Sequence, residues 1–251
     1  MAISLLCGIK DREEHLLRSY PSWLECEGVD EIIIVDWGSS RPISEILEKN
    51  EKLKIVRVNP SHCKYWSFSQ AFNTAARFSS NEHFVFINAD EIIVDKNEIS
   101  ELPKPDHTFF YEGTSWDNPK AHGVYFLYIS KDLFWHVNAF NEKMIGYGYD
   151  DVDIRQRLSE AEARLVTPNI KIEHIEHGHS HEIRENAINY GISKYIPWTS
   201  ENNIIDLRNL RREGGVLCCD IAEEDVITED KMKDREMVLV FIYSVNLPWM
   251  Y

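Results

Sequence analysis

The 251-residue sequence has little in it that could staple or anchor a fold. Its five cysteines, Cys7, Cys26, Cys63, Cys218 and Cys219, are scattered and form no CxxC pair. That excludes a disulfide scaffold or zinc knuckle, and adjacent Cys218 and Cys219 read as small apolar residues. No apolar run approaches the ~20 residues of a membrane-spanning helix. The longest near the end runs from Val238 to Val245 and resumes at Leu247 to Trp249. The opening MAISLLCGIKDREE has no basic segment ahead of its short apolar run, so it does not read as a secretory signal. A cytoplasmic protein without a membrane span is expected, with peripheral membrane association through partners left open. Positive charge is scarce: 27 Lys and Arg face 42 Asp and Glu, a net charge of −15. Such an excess of carboxylates argues against nucleic acid and against anionic lipid as partners. Internal repeats, low-complexity linkers, GxGxxG and GxxxxGK[ST] are all missing, so a Rossmann dinucleotide site or a P-loop has no support.

What is present fits one sizeable core: 43% of residues are apolar, and the length falls short of two full domains. The first 90 residues alternate short apolar runs with helical patterns. Ile3 to Gly8 predicts a buried strand. Arg12 to Glu25 predicts a helix, with Leu16, Leu17, Tyr20, Trp23 and Leu24 on its apolar face. The run Glu31 to Val35 (EIIIV) is β-branched throughout its apolar part, as in a strand covered on both faces. A short helix is expected over Ile43 to Asn50, strands over Lys54 to Val58 and His83 to Ile87, and a helix over Ser67 to Phe78. This β-α-β order predicts an α/β fold: a single mixed, mostly parallel sheet flanked by helices. Ligands on such sheets sit beyond the carboxyl ends of the strands, where Asp36 and Asp90 fall. Further on, Pro103 to Pro119 reads as loops and edge strands, Tyr125 to Ile129 as a strand and Lys131 to His136 as a short helix. A helix follows with Ile154, Leu158, Ala161 and Leu165 at its apolar spacing, and Asn169 to His174 reads as a strand. Asn203 to Arg212 is expected to be helical, Ala222 to Lys233 an acidic solvated segment, and Met237 to Val245 a strand or buried helix.

Three constellations could carry chemistry. Asp90 and Glu91 end an apolar strand, where a carboxylate can hold Mg²⁺ or Mn²⁺ on a diphosphate; an Asx turn explains Asp90 equally well. In Gly146-Tyr147-Gly148-Tyr149-Asp150-Asp151-Val152-Asp153, three carboxylates open a helix. Capping accounts for the acids. It does not account for two glycines that let a ligand approach the backbone, nor for two tyrosines that offer flat faces to a sugar. A carboxylate at that mouth can take a proton from a hydroxyl. Third, His174, His177, His179 and His181 are four of the ten histidines and fall within eight positions. In a strand the last three would share a face and could ligate a metal. A polar surface loop is the plainer alternative.

The segments ISLLCGIKDR, EIIIVDWGSS, FSQAFNTAARFSSNEHFVFINADE, NAFNEKMIGYGYDDVDIRQRL and IEHIEHGHSHE together resemble a GT-A glycosyltransferase. The likeness is to family 2, with a galactosyltransferase-type second part, over about residues 1 to 185. It implies residues 1–200 as the GT-A domain, split into a nucleotide-sugar half (1–95) and an acceptor and catalytic half (96–200). Residues 201–251 would be an extension packed on it. It implies Asp36 at the nucleoside, with Asp11, Arg12, Asn73, Arg77, Asn88 and Asp90 toward the nucleotide-sugar donor. The acidic DxD motif of such enzymes here reads Asn88-Ala89-Asp90, without its first carboxylate. Asp90 with His177, and His174 next, would hold Mn²⁺ or Mg²⁺. Asp151 would be the catalytic base and Asp150 would orient the acceptor, with Tyr147, Gly148 and Tyr149 against the sugar. The implied reaction is metal-dependent inverting transfer of a hexose or N-acetylhexosamine from a nucleotide sugar, UDP-sugar first among them, to a glycan acceptor. One alternative is a non-catalytic nucleotide-sugar-binding relative. Another is a metallohydrolase, but His177-Gly-His179-Ser-His181-Glu lacks the Asp-His that an HxHxDH box needs.

Overall fold

The computed structural model describes residues 2–113, 125–144, 146, 148–177, 189, 191–193, 205–213, 216–221 and 226. In chain order these form β1 (Ile3–Ile9), α1 (Glu13–Leu24), β2 (Val29–Asp36), a 3₁₀ turn (Ile43–Glu45), β3 (Leu53–Val58), a second 3₁₀ turn (Pro60–His62), α2 (Phe68–Phe78), β4 (His83–Ile87) and β5 (Glu91–Ile93). Then come α3 (Glu98–Glu101), β6 (Phe109–Gly113), β7 (Phe126–Ser130), α4 (Lys131–His136), α5 (Asp150–Glu160), β8 (Arg164–Val166), β9 (Ile172–His174), β10 (Ile205–Glu213) and β11 (Val216–Ile221). Nine strands make one sheet in the order β10-β11-β3-β2-β1-β4-β7-β6-β8, while β5 and β9 pair apart from it. The centre is parallel, β3-β2-β1-β4, and β7 is antiparallel to both β4 and β6. The sheet is thus mixed and mostly parallel, as the sequence predicts.

The apolar run in β2 divides between two cores by simple alternation. Ile33 and Val35 pack on one face with Phe68, Phe72, Ala75, Phe134 and Phe140. Ile32 and Ile34 pack on the other with Leu16, Tyr20 and Trp23 of α1. Leu17, expected on that apolar face, is instead 50% exposed. Gly8 permits close contact at the centre: a Cβ there would come within 2.7 Å of the Ala71 Cβ on α2.

Other expectations are corrected. Ile43 to Asn50 is a single 3₁₀ turn rather than a helix. The segment expected to be helical over Asn203 to Arg212 is mostly strand, because β11 pairs in parallel with β3 and offers β10 an edge to complete. That tertiary pairing overrides the local pattern. Leu165 lies in β8, past the end of α5, and is exposed. The Asn169 to His174 strand shrinks to Ile172–His174 and pairs with β5 instead of joining the main sheet. Met237 to Val245, and all of Ala222 to Lys233 except Val226, lie outside the described residues. All five thiols are free and buried, and burial pushes Cys26 and Cys219 up to about 12. Among the described residues no helix is long and apolar enough to cross a membrane.

Candidate active site

The carboxyl ends of β1, β2 and β3 are tied into one rim. Lys10, just past β1, donates through Nζ to the carbonyls of Trp37 (3.1 Å), Gly38 (3.2 Å) and Cys63 (2.9 Å). Asp11 has a left-handed φ of 51° and accepts from the Ser40 N–H at 2.7 Å. Asp36 is buried, accepts from the N–H groups of Ser39 (2.8 Å) and Ile43 (3.2 Å), and is paired with Arg57. Both its oxygens are therefore engaged within the chain, so in this arrangement Asp36 shapes the rim. Arg12 is exposed at the start of α1.

Beyond β4 the chain turns through Asn88, Ala89 and Asp90 into β5. Glu91 is wholly buried beneath that turn. It accepts from the Asn88 N–H (2.8 Å), the Asn88 side-chain amide (3.1 Å) and the Tyr125 N–H. Burial, and then the charge of Asp90, raise its pKa well above the usual carboxylate range. Asn88 thus spends its side chain on Glu91. The β5–β9 pair sets Glu91 opposite His174 and so brings the histidine strand to Asp90. The Ile175 N–H donates to the Asp90 carbonyl at 2.7 Å.

Three side chains converge there. His177 Nε2 lies 2.7 Å from Asp90 Oδ2, and His174 Nδ1 lies 3.9 Å from Asp90 Oδ1. One ligand atom from each of the three falls within 4.8 Å of the others. Asp90 Oδ1 and His174 Nδ1 are buried without a hydrogen-bond partner. Orphaned polar atoms facing one another are costly unless something satisfies both. A carboxylate with two imidazoles is a donor set for a divalent cation, so these residues fit the metal. His177 lies just past β9 rather than in a strand; His179 and His181 lie outside the described residues. A neighbour that the sequence did not single out is His15 of α1, whose ring centroid is 5.6 Å from that of His177. Burial, then Arg12, lower the His15 pKa.

The second acidic group opens α5. Gly146 and Gly148 have φ of 65° and 104°, and Tyr149 takes a left-handed φ of 68° at the N-cap. This kinked entry is stitched to the start of α2: the Gly146 N–H donates to the Trp66 carbonyl at 2.8 Å, and the Ser67 hydroxyl donates to that of Met144 at 3.2 Å. Tyr147 lies outside the described residues. Asp150 is buried and accepts from the Ser69 hydroxyl; burial raises its pKa well above the usual range. Asp151 differs, with a side chain 41% exposed and 3.7 Å from Arg155. Tyr125 joins the two acidic groups. Its N–H binds Glu91, and burial, followed by the charges of Glu112, Asp151 and Asp150, raises its hydroxyl pKa.

Asn73 and Arg77 are not brought to Asp90. Asn73 donates to the Phe140 carbonyl (2.9 Å) and Glu142 (2.8 Å) and accepts from the Phe140 N–H (3.0 Å). Arg77 pairs with Glu142 at 2.6 Å. Both hold the loop that precedes α5.

Residues 9–104 match the sequence profile of glycosyl transferase family 2, and residues 115–182 that described as the N-terminal domain of galactosyltransferase. No curated protein matches. Among solved structures, a point mutant of Drosophila β1,4-galactosyltransferase 7, complexed with manganese, UDP-Gal and xylobiose, is similar at 14% identity and TM-score 0.57. That match covers 88% of this chain and 93% of the other. A mannosyltransferase from Pyrobaculum calidifontis with GDP-Man and Mn²⁺ matches at 15% identity and TM-score 0.60, over 76% of this chain and 62% of its own. GalNAc-T7 with UDP, GalNAc and Mn²⁺ matches at 13% and TM-score 0.60, over 79% and 48%. At these identities the solved structures establish the fold, and each of the two profiles matches less than half of the chain.

Proposed function

We propose that this chain is a nucleotide-sugar glycosyltransferase of GT-A type, and that it carries out an inverting, metal-dependent hexosyl or N-acetylhexosaminyl transfer from a UDP-sugar to a glycan hydroxyl. The observation that carries this reading is the division of labour among the acids. Asp90 faces two imidazoles and Asp150 is buried on Ser69, while Asp151 alone of these three has a substantially exposed side chain. Asp90, His174 and His177 are the residues to hold Mn²⁺ or Mg²⁺. When bound, such an ion supplies Lewis-acid neutralisation of diphosphate charge. Asp151 takes the proton of the acceptor hydroxyl as its oxygen bonds to the anomeric carbon. The bond from that carbon to the diphosphate oxygen breaks, and the nucleoside diphosphate leaves with the electron pair. No covalent enzyme intermediate is needed. Asp150, buried and held by Ser69 at the same helix start, would orient the acceptor only through the groups around it. Uridine is favoured because two of the three neighbours above were solved with uridine nucleotides.

The test is nucleotide release from UDP-, GDP- and dTDP-sugars in Mn²⁺. UDP release is expected, and EDTA should abolish it. Asp151→Asn should bind donor normally yet turn over ~10²–10⁴-fold more slowly. A protein that binds donors and releases no nucleotide is a non-catalytic relative, and full activity in EDTA removes the metal.

A further inference from the structure

The geometry points to Arg155 and Glu112 as a positioning pair that fixes the direction of the Asp151 carboxylate, an inference resting on Asp151 as the base. The first turn of α5 carries three acids. Two have dedicated partners of their own. Asp150 is held by Ser69, and Asp153 by Ser193 and by Arg157 at 3.0 and 2.6 Å. Asp151 has Arg155, one turn along the helix, with the guanidinium nitrogen 3.7 Å from Oδ2.

An exposed pair at that spacing ordinarily holds neither side chain firmly. Arg155, however, is itself anchored. The same nitrogen lies 2.6 Å from Glu112 Oε1, and the Glu112 side chain is only 16% exposed. Glu112 belongs to β6, a strand flanked by β7 and β8 in the main sheet. The guanidinium is therefore docked on the sheet and presents a fixed face to Asp151. One guanidinium nitrogen thus faces both acids, close to Glu112 and more loosely to Asp151. The looser contact falls on Asp151, which leaves that carboxylate free to accept a proton while its direction is restrained. The arrangement also explains a buried acid beside the cleft: burial raises the Glu112 pKa, and Arg155 opposes that rise.

The test compares Arg155→Ala, Glu112→Gln, Asp151→Asn and the Arg155→Ala/Asp151→Asn double variant. Each is assayed on the UDP-sugar of the panel hydrolysed fastest, alongside Mn²⁺ affinity by calorimetry and thermal stability. Arg155→Ala should lower kcat about 10- to 100-fold, the cost of a misdirected group, with donor KM and Mn²⁺ affinity within about two-fold of the parent. Glu112→Gln should lower kcat in the same sense and by less. In the Asp151→Asn background the Arg155 change should add nothing. Arg155→Ala turnover indistinguishable from the parent overturns the pair. So does a loss that appears in KM alone, or one that multiplies undiminished on top of Asp151→Asn. If Asp151→Asn keeps full turnover, the base assignment itself fails whatever Arg155 does. If Asp151→Asn is inactive while Arg155→Ala is normal, only the positioning pair fails.

Discussion

At the scale of single residues, the turn that presents Asp90 of the candidate metal triad is held by an acid outside that triad. Glu91 satisfies three donors at the turn that presents Asp90: two on Asn88 and the N–H of Tyr125. Glu91→Ala leaves those donors without an acceptor in a buried place. It is expected to lower stability in urea unfolding by about 2–4 kcal/mol and to weaken Mn²⁺ affinity roughly 10-fold. An Ala variant with parental stability and affinity would show that the turn stands without it. Asp90, His174, His177, Asp150 and Asp151 were each legible in the sequence, because clustered acids and imidazoles are unusual enough to notice. Glu91 was noticed beside Asp90, but its supporting role, and the places of His15, Glu112 and Arg155, were not legible, since they depend on contacts between distant parts of the chain. One signal was there for Glu91: it opens the short apolar run Ile92 to Val94, and alternation puts it on the same side as buried Ile93.

At the scale of elements, α2 governs the entry to α5. It lies so close to β1 that Gly8 and Ala71 share one contact. Ser67 and Ser69, at its start, and Asn73 and Arg77, further along, hold the loop before α5 and its first acid. Gly8→Ala is expected to push α2 outward and cost about 1–3 kcal/mol. Ala71→Gly costs about 1 kcal/mol on its own through helix propensity. Because the second change removes the clash, the two together should cost less than their sum, a coupling read from a double-mutant cycle of unfolding free energies. Strict additivity would mean that the helix has room to spare. The main-sheet strands were legible where burial and β-branching agreed, as in β2. They were not legible for β10, whose conformation comes from an edge supplied by β11. The expectation that Asn73 and Arg77 face the donor came from resemblance; Asn73 is instead bonded to Phe140 and Glu142, and Arg77 Nη2 to Glu142.

At the scale of the molecule, the fold draws residues far apart in the sequence together around Asp90. The turn after β4 supplies Asp90, while β9 and the residues just beyond it supply the two histidines from far along the sequence. The start of α5, anchored on α2, supplies Asp151. The mostly parallel character of the sheet was legible because repeated β-α-β connections impose it. The separate β5–β9 pairing, which closes the metal triad, was not, since three-residue strands leave almost no pattern. The most direct test is a crystal soaked with Mn²⁺ and UDP and measured at the manganese absorption edge. The account predicts one anomalous peak coordinated by Asp90, His174 and His177, on the side of the cleft facing Asp151. A peak bound elsewhere, or Asp90 and Asp151 opening into separate cavities, would contradict it.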